Sequence, residues 1–286
     1  MCEAMPERQA CAADAPGGED AAPRVPSRRI RMLVEYDGTR YAGWQWQGNA
    51  LTVQQELEDA LSKLLGQPRM PIAGASRTDA GVHAAGQVAH VDVCNSIPAE
   101  KLAIALNTLL PQDVRVQASQ EVSQDFHARF SATGKTYRYQ IWNAPHASAL
   151  NHRYCAHVPT PLDVEAMRAE AEAALGTQDF HAFQATGGKK KGTVRTLNAL
   201  SLRQEGALIT LTVEGNAFLY NMVRILAGTL IDVGRGRIPP GAVARALASG
   251  SRLDLGITAP AQGLTLMAVH YAAGGRKRQA ANAAEL

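Results

Sequence analysis

Residues 74–92 read GASRTDAGVHAAGQVAHVD, and their reading decides the fold. An apolar approach, Pro71, Ile72 and Ala73, leads into a run of small residues. The run carries Ser76, Arg77, Thr78 and Asp79 in succession, then Gly81 and His83. Residues 87–93 follow with an alternating pattern, so the spacing predicts strand, polar turn, strand. The turn sets one carboxylate beside one guanidinium. An isolated Arg-x-Asp is ordinarily an Asx-turn with a surface ion pair. Here Gly74, Ala75, Ala80, Gly81, Ala84, Ala85 and Gly86 surround the charges. Residues this small permit close approach by a ligand or by another backbone.

Upstream, residues 30–36 read as a strand, with Ile30, Met32 and Val34 alternating with Arg31 and Leu33. The loop over 36–50, YDGTRYAGWQWQGNA, opens on the turn signal Asp37-Gly38. It interleaves Arg40, Tyr41, Trp44 and Trp46, a set that can either stack on bases or cap a core edge. Thr52 is an N-cap with Gln55 at capping-box spacing. Val53, Leu57, Ala60, Leu61 and Leu64 form the buried stripe of the helix that follows. A second helix over 98–110 and a strand over 114–118 complete one β-α-β-β-α-β set.

Downstream the order repeats. Residues 134–143 are a strand with Tyr137, Tyr139 and Ile141 on one face. A helix over 163–175, a hairpin around Gly206, helices over 218–233 and 242–248, and a strand over 263–271 follow. The expected fold class is α+β: two related ferredoxin-like halves forming a mixed, largely antiparallel sheet covered by helices. The expected boundaries are a disordered extension over 1–27, halves over 28–122 and 123–273, and a flexible basic tail over 274–286.

The helix over 218–233 carries Leu219, Met222, Val223, Leu226 and Leu230 as one apolar stripe. Asn221, Arg224 and Gly228 lie on another face. An arginine among such residues either snorkels to the surface or meets an anion, a phosphate or a carboxylate, with Asp79 the best carboxylate available. In residues 126–130, FHARF, the rings read as core, while His127 and Arg129 can face RNA. Lys189, Lys190 and Lys191 lie in a glycine-flanked basic loop able to embrace a phosphate backbone. His83 and His90 have no recognised metal spacing and read as ordinary hydrogen-bonded histidines. Nucleotide-cofactor motifs of the GxGxxG and GxxxxGK[ST] kinds are absent.

The 286 residues are 46% hydrophobic and 19% charged, a globular composition. A net charge of +3 is mild, so any nucleic-acid partner must be drawn by a local patch. The sequence has no apolar run long enough to span a membrane. Cys2, Cys11, Cys94 and Cys155 read as reduced thiols, and the chain as cytoplasmic.

Five stretches together resemble the tRNA pseudouridine synthase A family. They are GASRTDAGVHAAGQVAH (74–90), YDGTRYAGWQWQ (36–47), FHARFSATGKTYRYQIWN (126–143), NAFLYNMVRILAGTLIDVG (216–234) and TAPAQGLTL (258–266). They span most of the expected globular region. The resemblance implies the pseudouridine synthase fold and isomerisation of uridine to pseudouridine in the tRNA anticodon stem-loop, at positions 38, 39 and 40. It implies a homodimer and no cofactor or metal. Asp79 matches the catalytic aspartate, Arg77 the arginine that helps turn out the target base, Tyr137 the tyrosine packed against that base, and Arg224 the arginine paired with the aspartate. Leu264, in the last stretch, joins the substrate-binding set. Arg40, Trp44, Arg129 and Lys189–Lys191 are the expected RNA contacts.

The chemistry agrees with those residues. Uracil leaves C1′ through N1, rotates and returns through C5, with no change of redox state. A carboxylate can attack C1′, attack ring C6 or remove a sugar proton. An RNA-binding protein without catalysis would not explain a carboxylate aimed at a polyanion. A glycoside hydrolase usually needs a second carboxylate, and residues 74–90 offer only Asp79.

Overall fold

A computed structural model of the chain describes residues 27–185, 187 and 192–272. The expected 1–27 extension, except Ser27, lies outside the described residues. So do the 274–286 tail and Lys189–Lys191. No helix among the described residues is long and apolar enough to cross a membrane. Cys155 is a buried free thiol, whereas Cys94 is disulfide-bonded, so the expectation of reduced thiols fails at Cys94.

The first strand, β1 (Arg28–Tyr36), buries Ile30, Met32 and Val34 completely, as alternation requires. Thr52 caps α1 (Val53–Leu65), its hydroxyl accepting the Gln55 N–H at 3.3 Å. The short β2 (Ala73–Gly74) leads into the polar turn. β3 (His83–Val93) is longer than the alternating run suggests and starts at His83. α2 (Ala99–Asn107) and β4 (Val114–Val122) follow. Then come β5 (Ala132–Asn143), β6 (Ala156–Val158), α3 (Val164–Glu172), β7 (Gly176–Asp179), and the hairpin strands β8 (Val194–Glu205) and β9 (Leu208–Gly215). α4 (Met222–Gly234), α5 (Ala242–Ser249) and β10 (Leu264–Tyr271) end the described chain.

The strands form one mixed sheet in the order β4-β1-β3-β10-β5-β9-β8-β7, with β2 on β3 and β6 on β5. The neighbour orders β4-β1-β3-β2 and β10-β5-β9-β8 are the same arrangement twice. That repeat is the ferredoxin-like pattern expected for α+β halves. The two sets join where β3 meets β10 in parallel, through Thr265 with His83 and Leu266 with Ala84. β2 takes the same edge of β3 further along, at Ala73 with His90 and Gly74 with Ala89. Residues 75–82 therefore cross the point where the sheet divides.

The expected 218–233 helix begins only at Met222. Asn221 is the N-cap and adopts φ +61°, a left-handed break that removes residues 218–221 from the helix. Every α4 residue except Arg224 is buried. Gly228 is required there for another reason: a Cβ on it would lie 1.8 Å from the Ile257 carbonyl oxygen. The segment after α5 thus presses against α4 backbone to backbone. Gly228→Ala adds about 1 kcal/mol of helix propensity, but overpacking typically costs roughly 1–3 kcal/mol and more where backbone must move. The variant should melt several degrees lower by circular dichroism, and an unchanged or raised melting temperature would show that the packing yields freely.

Candidate active site

Asp79 opens a tight turn. The Val82 N–H donates to the Asp79 carbonyl at 3.1 Å, and Gly81 takes φ +76°. That is the third position of a type II turn, where glycine avoids a Cβ clash. The Gly81 N–H also donates to the Tyr41 carbonyl. Thr78 Oγ1 and Tyr36 Oη share a buried hydrogen bond of 2.7 Å. The turn is thereby tied to β1 and to the loop after it.

Gln87 holds the approach to the turn. Beyond Ala75, whose N–H donates to the Val88 carbonyl, the chain leaves the β3 ladder. The buried Gln87 side chain takes over, accepting the Ser76 N–H at 3.1 Å and donating to the Ser76 carbonyl at 2.7 Å. One amide replaces a pair of ladder bonds. Sequence reading missed this residue, although a glutamine inside an apolar strand pattern is its signal. Leucine at Gln87 would leave two buried backbone groups unpaired, each costing about 1–3 kcal/mol. Gln87→Leu should accordingly lower the unfolding free energy in urea by several kcal/mol, whereas a loss under 1 kcal/mol would mean that water reaches Ser76.

The arginine of α4 meets its anion. Arg224 Nη1 lies 3.6 Å from Asp79 Oδ2, with side chains 17% and 23% exposed. Arg224 is itself fixed: Nε donates to the Ala259 carbonyl at 2.8 Å and Nη1 to Asn221 Oδ1 at 2.7 Å. The Ala259 N–H returns to the Arg224 carbonyl at 3.0 Å. The Asn221 break that delays the start of the helix is what supplies this oxygen. Burial raises the Asp79 carboxyl pKa above its usual value, and Arg224 opposes that rise without reversing it. Desolvation is the larger of the two effects, so pairing with an arginine does not bring this carboxyl below its usual value.

Tyr137 is a buried ring of the strand next to the turn, 6% exposed. It pairs with Leu266 on β10 and Val213 on β9, and its Oη is 2.8 Å from Ser76 Oγ. Phe218 stands against it edge-on, centroids 5.0 Å apart. Burial, with Asp79 nearby, pushes the tyrosine hydroxyl up to about 12, so it stays protonated at neutral pH. Leu264 is buried opposite Tyr139, on the same face as Tyr137. Arg77 is exposed and has no hydrogen bond or ion pair among the described residues.

Other expected RNA contacts fare differently. Trp44 is only 1% exposed and stands where a Cβ on Gly74 would meet its indole at 2.3 Å, so its ring is core and cannot stack on a base as placed. The small residues of the turn thus accommodate this ring and neighbouring backbone rather than open space. Arg40 is exposed but bidentate to Asp113, at 2.6 and 2.9 Å. Arg129 is exposed, with its guanidinium 5.7 Å from the Phe130 ring centroid. Phe130 is 69% exposed, against the expectation that the rings of FHARF are core. His83 and His90 are buried and hydrogen-bonded, His90 accepting the Ala128 N–H at 3.2 Å.

The turn thus sets a half-buried carboxylate within 3.6 Å of a tethered arginine, a pairing able to do nucleophilic or base chemistry. A family model described as tRNA pseudouridine synthase matches residues 32–131 and 171–272. The tRNA pseudouridine synthase A of Ruminiclostridium cellulolyticum is 49% identical over 245 residues, covering 85% of this chain and 100% of that protein. Its counterpart in Acetivibrio thermocellus is 46% identical over 244 residues, with the same coverage, 85% and 100%. The chain belongs to the tRNA pseudouridine synthase family, and with it to the isomerases that act on tRNA.

Removing the Arg224 charge leaves burial unopposed. Arg224→Met should therefore raise the Asp79 carboxyl pKa further, read by carbon-13 NMR titration of the aspartates. An unmoved titration would show that the 3.6 Å separation carries no coupling.

Proposed function

We propose that this chain isomerises uridine to pseudouridine in the anticodon stem-loop of tRNA, at positions 38, 39 and 40, with Asp79 as the catalytic carboxylate. The observation that carries this reading is the placement of Asp79 on its turn, 3.6 Å from the tethered Arg224. The target base must first leave the stack, at a cost of a few kcal/mol. Arg77 is two residues from Asp79, exposed and unpaired among the described residues, and so is free to occupy the vacated space. On this reading the turned-out uracil packs against Tyr137, with Phe218 and Leu264 beside it, once these buried side chains part to admit it.

Asp79 then attacks C1′, attacks C6 or takes a sugar proton. In each case the N1–C1′ bond breaks, the base turns and the C5–C1′ bond forms. The C5 proton departs last, and on this reading the protonated Tyr137 hydroxyl, hydrogen-bonded to Ser76, acts only as a relay that gives up its own proton as it takes this one. Partial burial makes the carboxylate more reactive than a hydrated one, and Arg224 keeps enough of it ionised at neutral pH. A homodimer acting in the cytoplasm completes the proposal, on the family resemblance alone. Phosphate contacts by Arg129 and by the Lys189–Lys191 loop belong to the same reading.

Asp79→Asn removes the charge and keeps the shape. The variant should lose tRNA isomerisation, scored by pseudouridine mapping, while its tRNA affinity stays within a few-fold. Turnover by the purified Asn variant would end the assignment.

A further inference from the structure

We propose that Lys135 binds a backbone phosphate of the bound tRNA beside the turned-out nucleotide, a role that rests on the function proposed above. Lys135 lies two residues before Tyr137 on β5, where the β9 register is unbroken, so both side chains share one face. Successive residues of one face are about 7 Å apart along a strand. Both reach the same short segment: Lys135 Nζ donates to the Ala75 carbonyl at 2.9 Å, and Tyr137 Oη meets Ser76 Oγ. The ammonium is therefore fixed beside the segment that meets Tyr137.

An ammonium has three donors, and the Ala75 carbonyl is its one hydrogen-bond acceptor among the described residues. No ion pair reaches it there either. Burial, and after it the Arg129 cation, draw the ammonium down to about 8. Two like charges near one another, one of them half-buried, are unfavourable unless an anion lies between them. Lys135 remains partly accessible and Arg129 is exposed, so an anion can reach both. The polyanionic substrate supplies that anion as phosphate. An internal tie to Ala75 alone would need only a neutral donor, which glutamine or serine supplies without the desolvation of a charge.

The test uses the full chain with Asp79→Asn in the background, so that binding is read without turnover. Lys135→Gln keeps a donor for Ala75 and removes the charge. Its tRNA affinity should fall several-fold. The slope of log affinity against log salt should shrink by about 0.7–0.9, the value for one phosphate contact. Lys135→Arg should retain the parent slope. A parent that binds tRNA normally, paired with a Gln variant of unchanged slope, overturns the phosphate role and leaves the proposed function standing. A parent that binds no tRNA overturns both. Amine acylation of the wild-type protein, mapped by peptide mass, gives a reading that needs no variant to fold. Bound tRNA should protect Lys135 at low salt, and equal labelling with and without tRNA rejects the contact.

Discussion

The geometry of the site depends on a very short parallel seam, Thr265 with His83 and Leu266 with Ala84. Parallel pairing brings the segments that precede two strands to the same end of the sheet. The segment before β3 carries Asp79, and the segment before β10 carries Ala259, the residue that holds Arg224 at both its backbone and its guanidinium. An antiparallel seam would send those segments to opposite ends. β5 then lies antiparallel to β10 and sets Tyr137 across from Leu266. Carboxylate, arginine and tyrosine come from distant parts of the chain, and one seam fixes all three. The seam is short because Met267 bulges, and Gly86 makes room for it: a Cβ there would meet the Met267 carbonyl at 2.2 Å.

Within that frame the electrostatics balance two opposed effects. Burial favours the neutral form of Asp79, and Arg224 favours the charged form. The 3.6 Å separation exceeds ordinary hydrogen-bond length. Arg224 spends its shorter bonds on Ala259 and Asn221. It therefore lends charge to Asp79 without saturating the carboxylate oxygens, which keep lone pairs for a substrate. A shorter, bidentate pair like that of Arg40 with Asp113 would occupy both oxygens.

What the sequence made legible follows from how local each cause is. Alternation in β1 and β5, the Thr52 cap and the polar turn after Ala73 are local, and reading residue by residue finds them. The 218–233 helix was misread at its start because its apolar spacing continues through Phe218 and Leu219. Those residues are buried by tertiary packing against Tyr137 and the core, not by a helical turn. The partners of Trp44 and Arg40 were not legible because a single sequence shows a ring or a charge but not what it meets. Gly74 lies 30 residues from Trp44, and Asp113 lies 73 from Arg40. Gln87 and Lys135 escaped for the converse reason: their partners are backbone groups, which leave no mark in a sequence.

The same pairing explains how a chain of net charge +3 can direct itself onto a polyanion with a carboxylate at its centre. A weak overall field gives little guidance, so direction must come from cations that no carboxylate neutralises. Arg29 is held by Asp92, Arg40 by Asp113 and Arg69 by Glu58. Those pairs leave little net charge on their parts of the surface. Arg77 and Arg129 have no carboxylate partner among the described residues, and Arg77 is two residues from Asp79. Lys135 lies two residues before Tyr137 on β5 and feels the Arg129 charge. On the proposed reading, Arg77, Arg129 and Lys135 supply a local positive field where a phosphate flanking the target base would lie. Asp79, half-buried and screened by Arg224, then faces the base rather than the phosphates.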